Sequence, residues 1–282
     1  MKQALANIHQ QLDALYPPGE LRELTRWMME EVADIPPYRL LLADDVLTDH
    51  QRQQIDAMVE RLAKKEPIQY ILGKTTFCGL PFQVNREVLI PRPETEELVR
   101  LIVDDFTSHP SVRILDIGTG SGCIAVSLAS FLPGAHVTGL DVSPSALQVA
   151  AGNAALNQVS VSWISQDVLS ADVDSCLGQY DCIVSNPPYI MEHEQQEMDA
   201  GVLNYEPHQA LFVPDTDPLL FYRRIVQLAK RHLMAGGWLY FEINEQCGDA
   251  MRELLNRERF SQTEIIKDYF GKDRMLKAQL VL

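Results

Sequence analysis

The sequence predicts an α/β protein: a doubly wound, mostly parallel sheet preceded by a small helical domain, with a β-hairpin linker between them. Three observations lead there. From Val112 onward, short apolar strands alternate with amphipathic helices, the pattern of a parallel sheet with helical crossovers. Residues 1 to about 75 show helical periodicity alone. Residues 76–90 place aromatic and β-branched residues on both sides of Gly79 and Pro81, as a hairpin does. The expected domains are therefore 1–75, 76–90 and 91–282, and a chain of 282 residues suffices for one large domain and one small one.

In the first part, Leu5, Ile8, Leu12 and Leu15 recur at helical spacing, as do Leu21, Leu24, Met28 and Val32. Pro36-Pro37 breaks the pattern. Thr48-Asp49-His50-Gln51 has the form of a capping box, opening a helix with Ile55, Met58, Val59 and Leu62 on its apolar face, and Pro67 ends it. This bundle carries no catalytic signature; a substrate-docking role and a stabilising appendage both fit it. After the hairpin, Pro91-Arg92-Pro93-Glu94-Thr95-Glu96-Glu97 opens a helix. Pro93 suits its first turn, and the glutamates complement the positive end of the helix dipole. That account is sufficient by itself and does not make the segment a wall of a site. Strands are expected at 112–117, 135–141, 160–166, 180–185 and 237–243. An antiparallel edge pair, 261–269 and 274–282, is joined by Gly271-Lys272. Helices are expected at 122–132, 144–157, 217–234 and 246–257.

Composition narrows the partners. The net charge is −15, and acids outnumber bases both before and after residue 75, so long-range charge repels a phosphate backbone. Arg223, Arg224, Lys230 and Arg231 make the nearest thing to a basic patch and read as a solvated helix face. The five cysteines are scattered without C-x-x-C spacing, and the seven histidines form no metal-binding motif, so reduced thiols and no metal are expected. No apolar run reaches the roughly 18 residues of a membrane span. The opening Met1-Lys2-Gln3-Ala4-Leu5 lacks the features of a secretory leader, which sets the expectation of a cytoplasmic protein without a membrane partner.

Tyr180-Asp181-Cys182-Ile183-Val184-Ser185-Asn186-Pro187-Pro188-Tyr189 is a buried strand ending in a rigid polar tip. Two prolines remove successive backbone donors, and each restricts the residue before it. What remains is a set of acceptors, the Asn186 side-chain oxygen and nearby carbonyls, beside the flat ring of Tyr189. Such a tip suits a planar –NH2 group, although a Pro-Pro turn closing a strand explains the prolines alone.

Arg113-Ile114-Leu115-Asp116-Ile117-Gly118-Thr119-Gly120-Ser121-Gly122 is a strand entering a glycine turn before a helix. A dinucleotide fingerprint would put its third glycine at 123, which is Cys123. Asp116 ahead of the turn opposes a pyrophosphate but suits an ammonium. Asp141, at the end of the next strand, can hold two ribose hydroxyls. Asp167, ending the third, can accept from an adenine amine. Amino acid, ribose and adenine together describe S-adenosylmethionine; a nicotinamide enzyme and a non-catalytic binding fold are the alternatives.

These motifs resemble the class I methyltransferases, whose Rossmann-like sheet the resemblance implies. More narrowly they are similar to the HemK/PrmC family, the peptide chain release factor glutamine N5-methyltransferases. Glu66-Pro67-Ile68 with Gly73, Ile90-Pro91-Arg92-Pro93-Glu94-Thr95-Glu96, the loop Asp116–Gly122, Asn186-Pro187-Pro188-Tyr189, Glu206-Pro207 and Arg274 carry the resemblance through most of the chain. The N-P-P-Y tetrapeptide also resembles motifs in methyltransferases acting on DNA, RNA and ribosomal proteins, so the I-P-R-P-E-T-E segment discriminates better. Val168 departs from relatives that carry an aromatic residue there, which leaves adenine to backbone and aliphatic contacts.

The resemblance implies methyl transfer to the glutamine amide nitrogen of the Gly-Gly-Gln loop of class 1 release factors; a monomer with no direct nucleic-acid partner is expected. Asn186, Pro187 and Tyr189 are the expected catalytic residues, and with Pro188 they form the expected substrate contact. Asp116, Gly118, Thr119, Gly120, Ser121, Gly122, Asp141, Asp167, Val168 and Asn186 are the expected cofactor contacts. A nucleic-acid methyltransferase would put the same tip to a flipped base and should show an electropositive face.

Overall fold

The computed structural model describes residues 1–36, 38, 46–109 and 111–281. The chain divides into two compact units, one of Met1–Gly73 with Asp199–Tyr205, the other of Lys74–Met198 with Glu206–Leu282.

The first unit is helical. Helices α1 (Lys2–Leu12), α2 (Pro18–Ala33) and α3 (Asp49–Leu62) pack Ile8, Leu12, Leu21, Met28, Ile55 and Val59 into one apolar core. The capping box forms as its residues predict: the Gln51 amide donates to Thr48 Oγ1 at 3.2 Å and the Thr48 amide to Gln51 Oε1 at 2.9 Å. Leu15 does not extend α1; the helix ends at Leu12 and Leu15 is 37% exposed. Helix α2 stops at Asp34, held left-handed at φ 52°, before the expected proline break, whose second residue Pro37 lies outside the described residues. Helix α4 (Ile68–Leu72) ends at Gly73, whose φ of 72° favours glycine. A short helix between Ala200 and Tyr205 joins this unit from far along the chain. Gly201 permits that approach, since a Cβ there would stand 2.7 Å from the Lys65 carbonyl oxygen.

The second unit opens with the hairpin β1 (Lys74–Phe77) and β2 (Leu80–Gln83). Its two-residue loop, Cys78 and Gly79, has both φ values positive, matching the right-handed twist of the strands. The hairpin begins earlier and ends sooner than 76–90. Residues 84–90 contain no strand, because Asn85 turns the chain by accepting from the Glu87 and Val88 amides. Asn153 clips Gln83 through its main-chain N–H and C=O, at 2.7 and 3.0 Å.

Helix α5 (Pro93–Phe106) leads into the sheet: β3 (Arg113–Ile117), β4 (His136–Asp141), β5 (Ser162–Ser165), β6 (Tyr180–Ser185), β9 (Leu233–Glu242), β10 (Phe260–Lys267) and β11 (Asp273–Leu280). A separate two-stranded pair, β7 (Ile190–Met191) and β8 (Phe212–Val213), follows the polar tip. The sheet order is β10-β11-β9-β6-β3-β4-β5, parallel from β9 to β5 and antiparallel at the β10–β11 edge. Alternate residues feed two cores. Leu115, Ile117, Ile183 and Phe241 meet Tyr222, Ile225 and Met251; Ile114, Val184 and Tyr240 meet Leu98, Ile102 and Val126. The expected strand 237–243 starts earlier, at Leu233, because Gly236 and Gly237 carry an irregular register opposite β6. No helix of the described residues is long and apolar enough to cross a membrane.

Candidate active site

The chain turns back across the sheet between β3 and β6, so their carboxyl ends leave a crevice at the topological switch point. A cavity of about 280 Å³ lies there, lined by the ends of β3, β4 and β6 and the loop after β5. Gly118 and Gly120 form its floor at φ 74° and 53°, and a Cβ on either would meet nothing within 4 Å. The space a side chain would take is left open to a ligand. Gly122 is different. A Cβ there would stand 2.9 Å from the Ala150 Cβ, so this glycine lets the helix α7 (Pro144–Leu156) pack close to the loop.

Asp141 ends β4 in the cavity wall. Its carboxylate accepts from the Gly120 amide at 2.8 Å and the Ser143 amide at 2.9 Å, while burial pushes its carboxyl above the ordinary range. Asp167 also lines the cavity and accepts from the Leu169 amide at 2.8 Å. Val168 lies beside it, and Arg224, on helix α9 (Leu220–His232), holds this loop by donating to the Val168 and Ser170 carbonyls at 2.9 and 2.8 Å. Two acidic acceptors above an open glycine floor fit a nucleoside with free ribose hydroxyls and an exocyclic amine.

Asp116 is not among the lining residues. It is fully buried beneath the loop and accepts from Thr119 Oγ1 at 2.6 Å. Its Oδ1 has no hydrogen-bond partner among the described residues, and burial pushes its carboxyl up to about 7. Thr119, Ser121 and Gly122 likewise support the loop rather than line the cavity.

Asn186, Pro187 and Pro188 project from the end of β6 into the cavity wall. Ser185 anchors the tip, its hydroxyl donating to the Ile117 carbonyl at 2.6 Å. Tyr189 is not part of the lining. Its hydroxyl donates to Glu242 Oε1 at 2.9 Å, and its carbonyl accepts from Asn244 Nδ2 at 3.2 Å. Burial, then the neighbouring Glu242 charge, push the Tyr189 phenol well up, so it stays protonated as the donor.

Sequence reasoning gave no site role to several contributors. Glu87, Val88 and Leu89 form one rim, and Pro207 with Gln209 another. Buried Glu206 ties these segments together, accepting from the Ile90 amide at 3.2 Å and from Arg92 at 2.5 Å. Thr95, given only a helix-opening role, is buried against Asn186 and Glu242. For Glu242 the available signal is a lone acid in an apolar strand, Tyr240-Phe241-Glu242-Ile243. The cations of α9 pair with acids: Arg223 with Asp217, Arg224 and Arg231 with Asp174, and Lys230 with Glu258. Among the described residues no group of three or more His, Cys, Asp or Glu side chains is placed to hold a metal.

The family model of the methyltransferase small domain matches residues 95–205, and that of the PrmC N-terminal domain matches residues 3–73. The chain is 45% identical over 272 residues to a release factor glutamine methyltransferase of Flavobacterium psychrophilum, covering 95% of each chain. It is 45% identical over 279 residues to one of Bacteroides thetaiotaomicron, covering 99% of each. A methyltransferase crystal structure from Pyrococcus furiosus shares the fold at 19% identity and a TM-score of 0.52, over 83% of this chain and all of that one, 100%. The sheet is thus the class I methyltransferase sheet expected, with S-adenosylmethionine as cofactor. With both family models matched and near-complete relatives at this identity, the chain belongs to the release factor glutamine methyltransferase family.

Proposed function

We propose that this chain methylates the side-chain amide nitrogen of the glutamine in the Gly-Gly-Gln loop of class 1 peptide chain release factors. The observation that carries the reading is the Asn186 amide. It follows the end of β6 at the cavity wall, with its –NH2 turned to Thr95 Oγ1 at 3.2 Å and its oxygen left as an acceptor.

Asp141, Asp167 and the glycine floor would hold S-adenosylmethionine, which would supply an electrophilic methyl group and take the bonding electrons into a neutral thioether. The chain's own task is to make a poor nucleophile react, since an amide nitrogen shares its lone pair with its carbonyl. Asn186 Oδ1 and the Pro187 carbonyl accept the two N–H protons of the substrate. They aim the nitrogen at the methyl and favour the positive charge that grows on it. Tyr189, braced on Glu242, keeps the tip in place. The nitrogen releases its proton after transfer, so no general base has to act early.

The helical unit is assigned to docking the release factor, and the enzyme is taken to act as a cytoplasmic monomer. The net charge of −15 disfavours the nucleic-acid alternative. Incubation of purified release factor with enzyme and donor, followed by intact-mass analysis and peptide mapping, should show one added methyl on the Gly-Gly-Gln glutamine. An unmodified release factor would overturn the reading.

A further inference from the structure

Glu242 is a fully buried acid at the end of β9, and its place is fixed from several sides. Tyr189 donates to its Oε1 at 2.9 Å and Thr95 to its Oε2 at 2.6 Å. Tyr222 donates to its main-chain carbonyl at 3.0 Å. Arg274, on β11, and Glu94, on α5, face it with opposite charges. Thr95 opens α5 in the segment Pro91–Glu97 and is itself buried.

The direction of these bonds follows from the chemistry of the groups. An ionised carboxylate only accepts, and a threonine hydroxyl has one proton to give. Thr95 gives that proton to Glu242, so toward Asn186 it can only accept. Asn186 must then turn its –NH2 to Thr95 and present Oδ1 outward. A buried chain of this kind also polarises along its length, which strengthens the last acceptor in it.

We propose that Thr95 and Glu242 are positioning residues of the methyl transfer, setting which end of the Asn186 amide meets the accepting nitrogen and holding Tyr189 alongside it. The inference rests on the proposed reaction for its kinetic consequence, but not for its geometry. Thr95 does not line the cavity; it acts through Asn186. Glu242 supplies the negative end of the chain, and a neutral glutamine there must reverse one of the two bonds. Its amide would donate either to Thr95, freeing the Thr95 proton for Asn186 Oδ1, or to Tyr189.

The test compares Thr95→Ser, which keeps the hydroxyl, with Thr95→Val, which keeps the shape. The first readout needs no substrate: the Asn186 side-chain –NH2 resonances and their solvent exchange, by NMR on the full chain. Thr95→Val should shift them and speed their exchange, and Thr95→Ser should leave both near wild type. Unmoved Asn186 signals in Thr95→Val overturn the proposal. The second readout is single-turnover transfer to a release factor at saturating donor, with donor affinity by calorimetry. Thr95→Val and Glu242→Gln should each lose roughly 5- to 150-fold in rate, the range for a buried polar group left without its partner, with donor affinity held. Thr95→Ser should restore most of the rate. A packing role alone predicts the reverse order, with valine tolerated and serine impaired, and that result also overturns the proposal. If the wild-type enzyme leaves the release factor unmodified, the assigned reaction falls, and the NMR comparison decides the hydrogen-bond chain by itself.

Discussion

Asp116 lends itself to a direct measurement of what the glycine loop rests on. The side chain is fully buried, engages Thr119 through one oxygen, and holds its proton up to about pH 7. In the unfolded chain the same carboxyl titrates near the ordinary 3.8. Between those values the folded protein carries a proton that the unfolded chain has released. Stability is therefore present at the acid end of the window and falls as pH rises through it. At about 1.4 kcal/mol for each tenfold change in proton affinity, the full window amounts to roughly 4 kcal/mol. Against a typical total of about 5–15 kcal/mol, that is a large fraction. Asp116→Asn removes the charge while its carbonyl can still accept the Thr119 hydroxyl. Urea unfolding in a Trp27→Phe background, which leaves Trp163 and Trp238 to report on the second unit, should be run from about pH 5 to pH 8.5. Because the unfolded carboxyl is already ionised at pH 5, the asparagine variant should gain on the parent by roughly 2–3 kcal/mol between pH 5 and pH 8.5, all without donor. Groups that titrate alike in both proteins cancel in the difference. A stability difference that stays level across the range would refute the idea that Asp116 is a buried acid without a counter-charge.

Asp141→Ala should weaken donor binding about 10- to 150-fold by calorimetric titration, since hydrogen bonds to a charged acceptor contribute roughly 1.5–3 kcal/mol; unchanged affinity in a folded variant would remove Asp141 from the site. Asn186→Ala should lower single-turnover methyl transfer by about 10²–10³ with donor affinity spared, the usual loss for one preorganised contact, and transfer at the wild-type rate would remove Asn186 from the chemistry. Glu206→Ala leaves the Ile90 amide without its acceptor and should lower unfolding stability by about 1–3 kcal/mol, whereas an unchanged urea midpoint would mean the rim segments hold without it. Burial pushes the Glu242 carboxyl up, against the Thr95 and Tyr189 hydrogen bonds and the Arg274 charge, while Glu94 adds to the rise. The single-turnover rate should therefore climb with pH as Glu242 ionises, because the carboxylate is the stronger acceptor of the Thr95 proton, and Glu242→Gln should level that limb of the profile.

Much of this site was legible in the chain because local chemistry dictates it. The strand-to-glycine turn at 113–122, the acid ending β4 and the acid just past β5 need no distant information. A parallel sheet brings the carboxyl ends of successive strands together wherever the strands begin and end. The N-P-P-Y tip is likewise local: two prolines constrain it before any packing occurs. Asp116 shows the limit of that logic. Two residues ahead of the first glycine, it looks like a ligand contact; the pleat of β3 instead points it into the protein, where the Thr119 hydroxyl donates to it. One residue of phase along a strand separates those outcomes.

What stayed hidden depends on pairs far apart in sequence. Thr95 and Asn186 are 91 residues apart and meet only because α5 packs across the end of β6. Glu242 stands 147 residues from Thr95. Each has an adequate local reading, an ordinary first-turn residue and an acid ending a strand, and neither reading contains the other. The hairpin was misjudged for a related reason. Residues 84–90 carry the β-branched Val84, Val88 and Ile90 of a strand, yet Asn85 diverts the chain, and Glu206 takes up the Ile90 amide from 116 residues away. The position whose role is best hidden is thus the one held by two other segments at once. At Asn186 the place is legible and only the sense of the amide is not, because a carboxylate it never touches sets that sense.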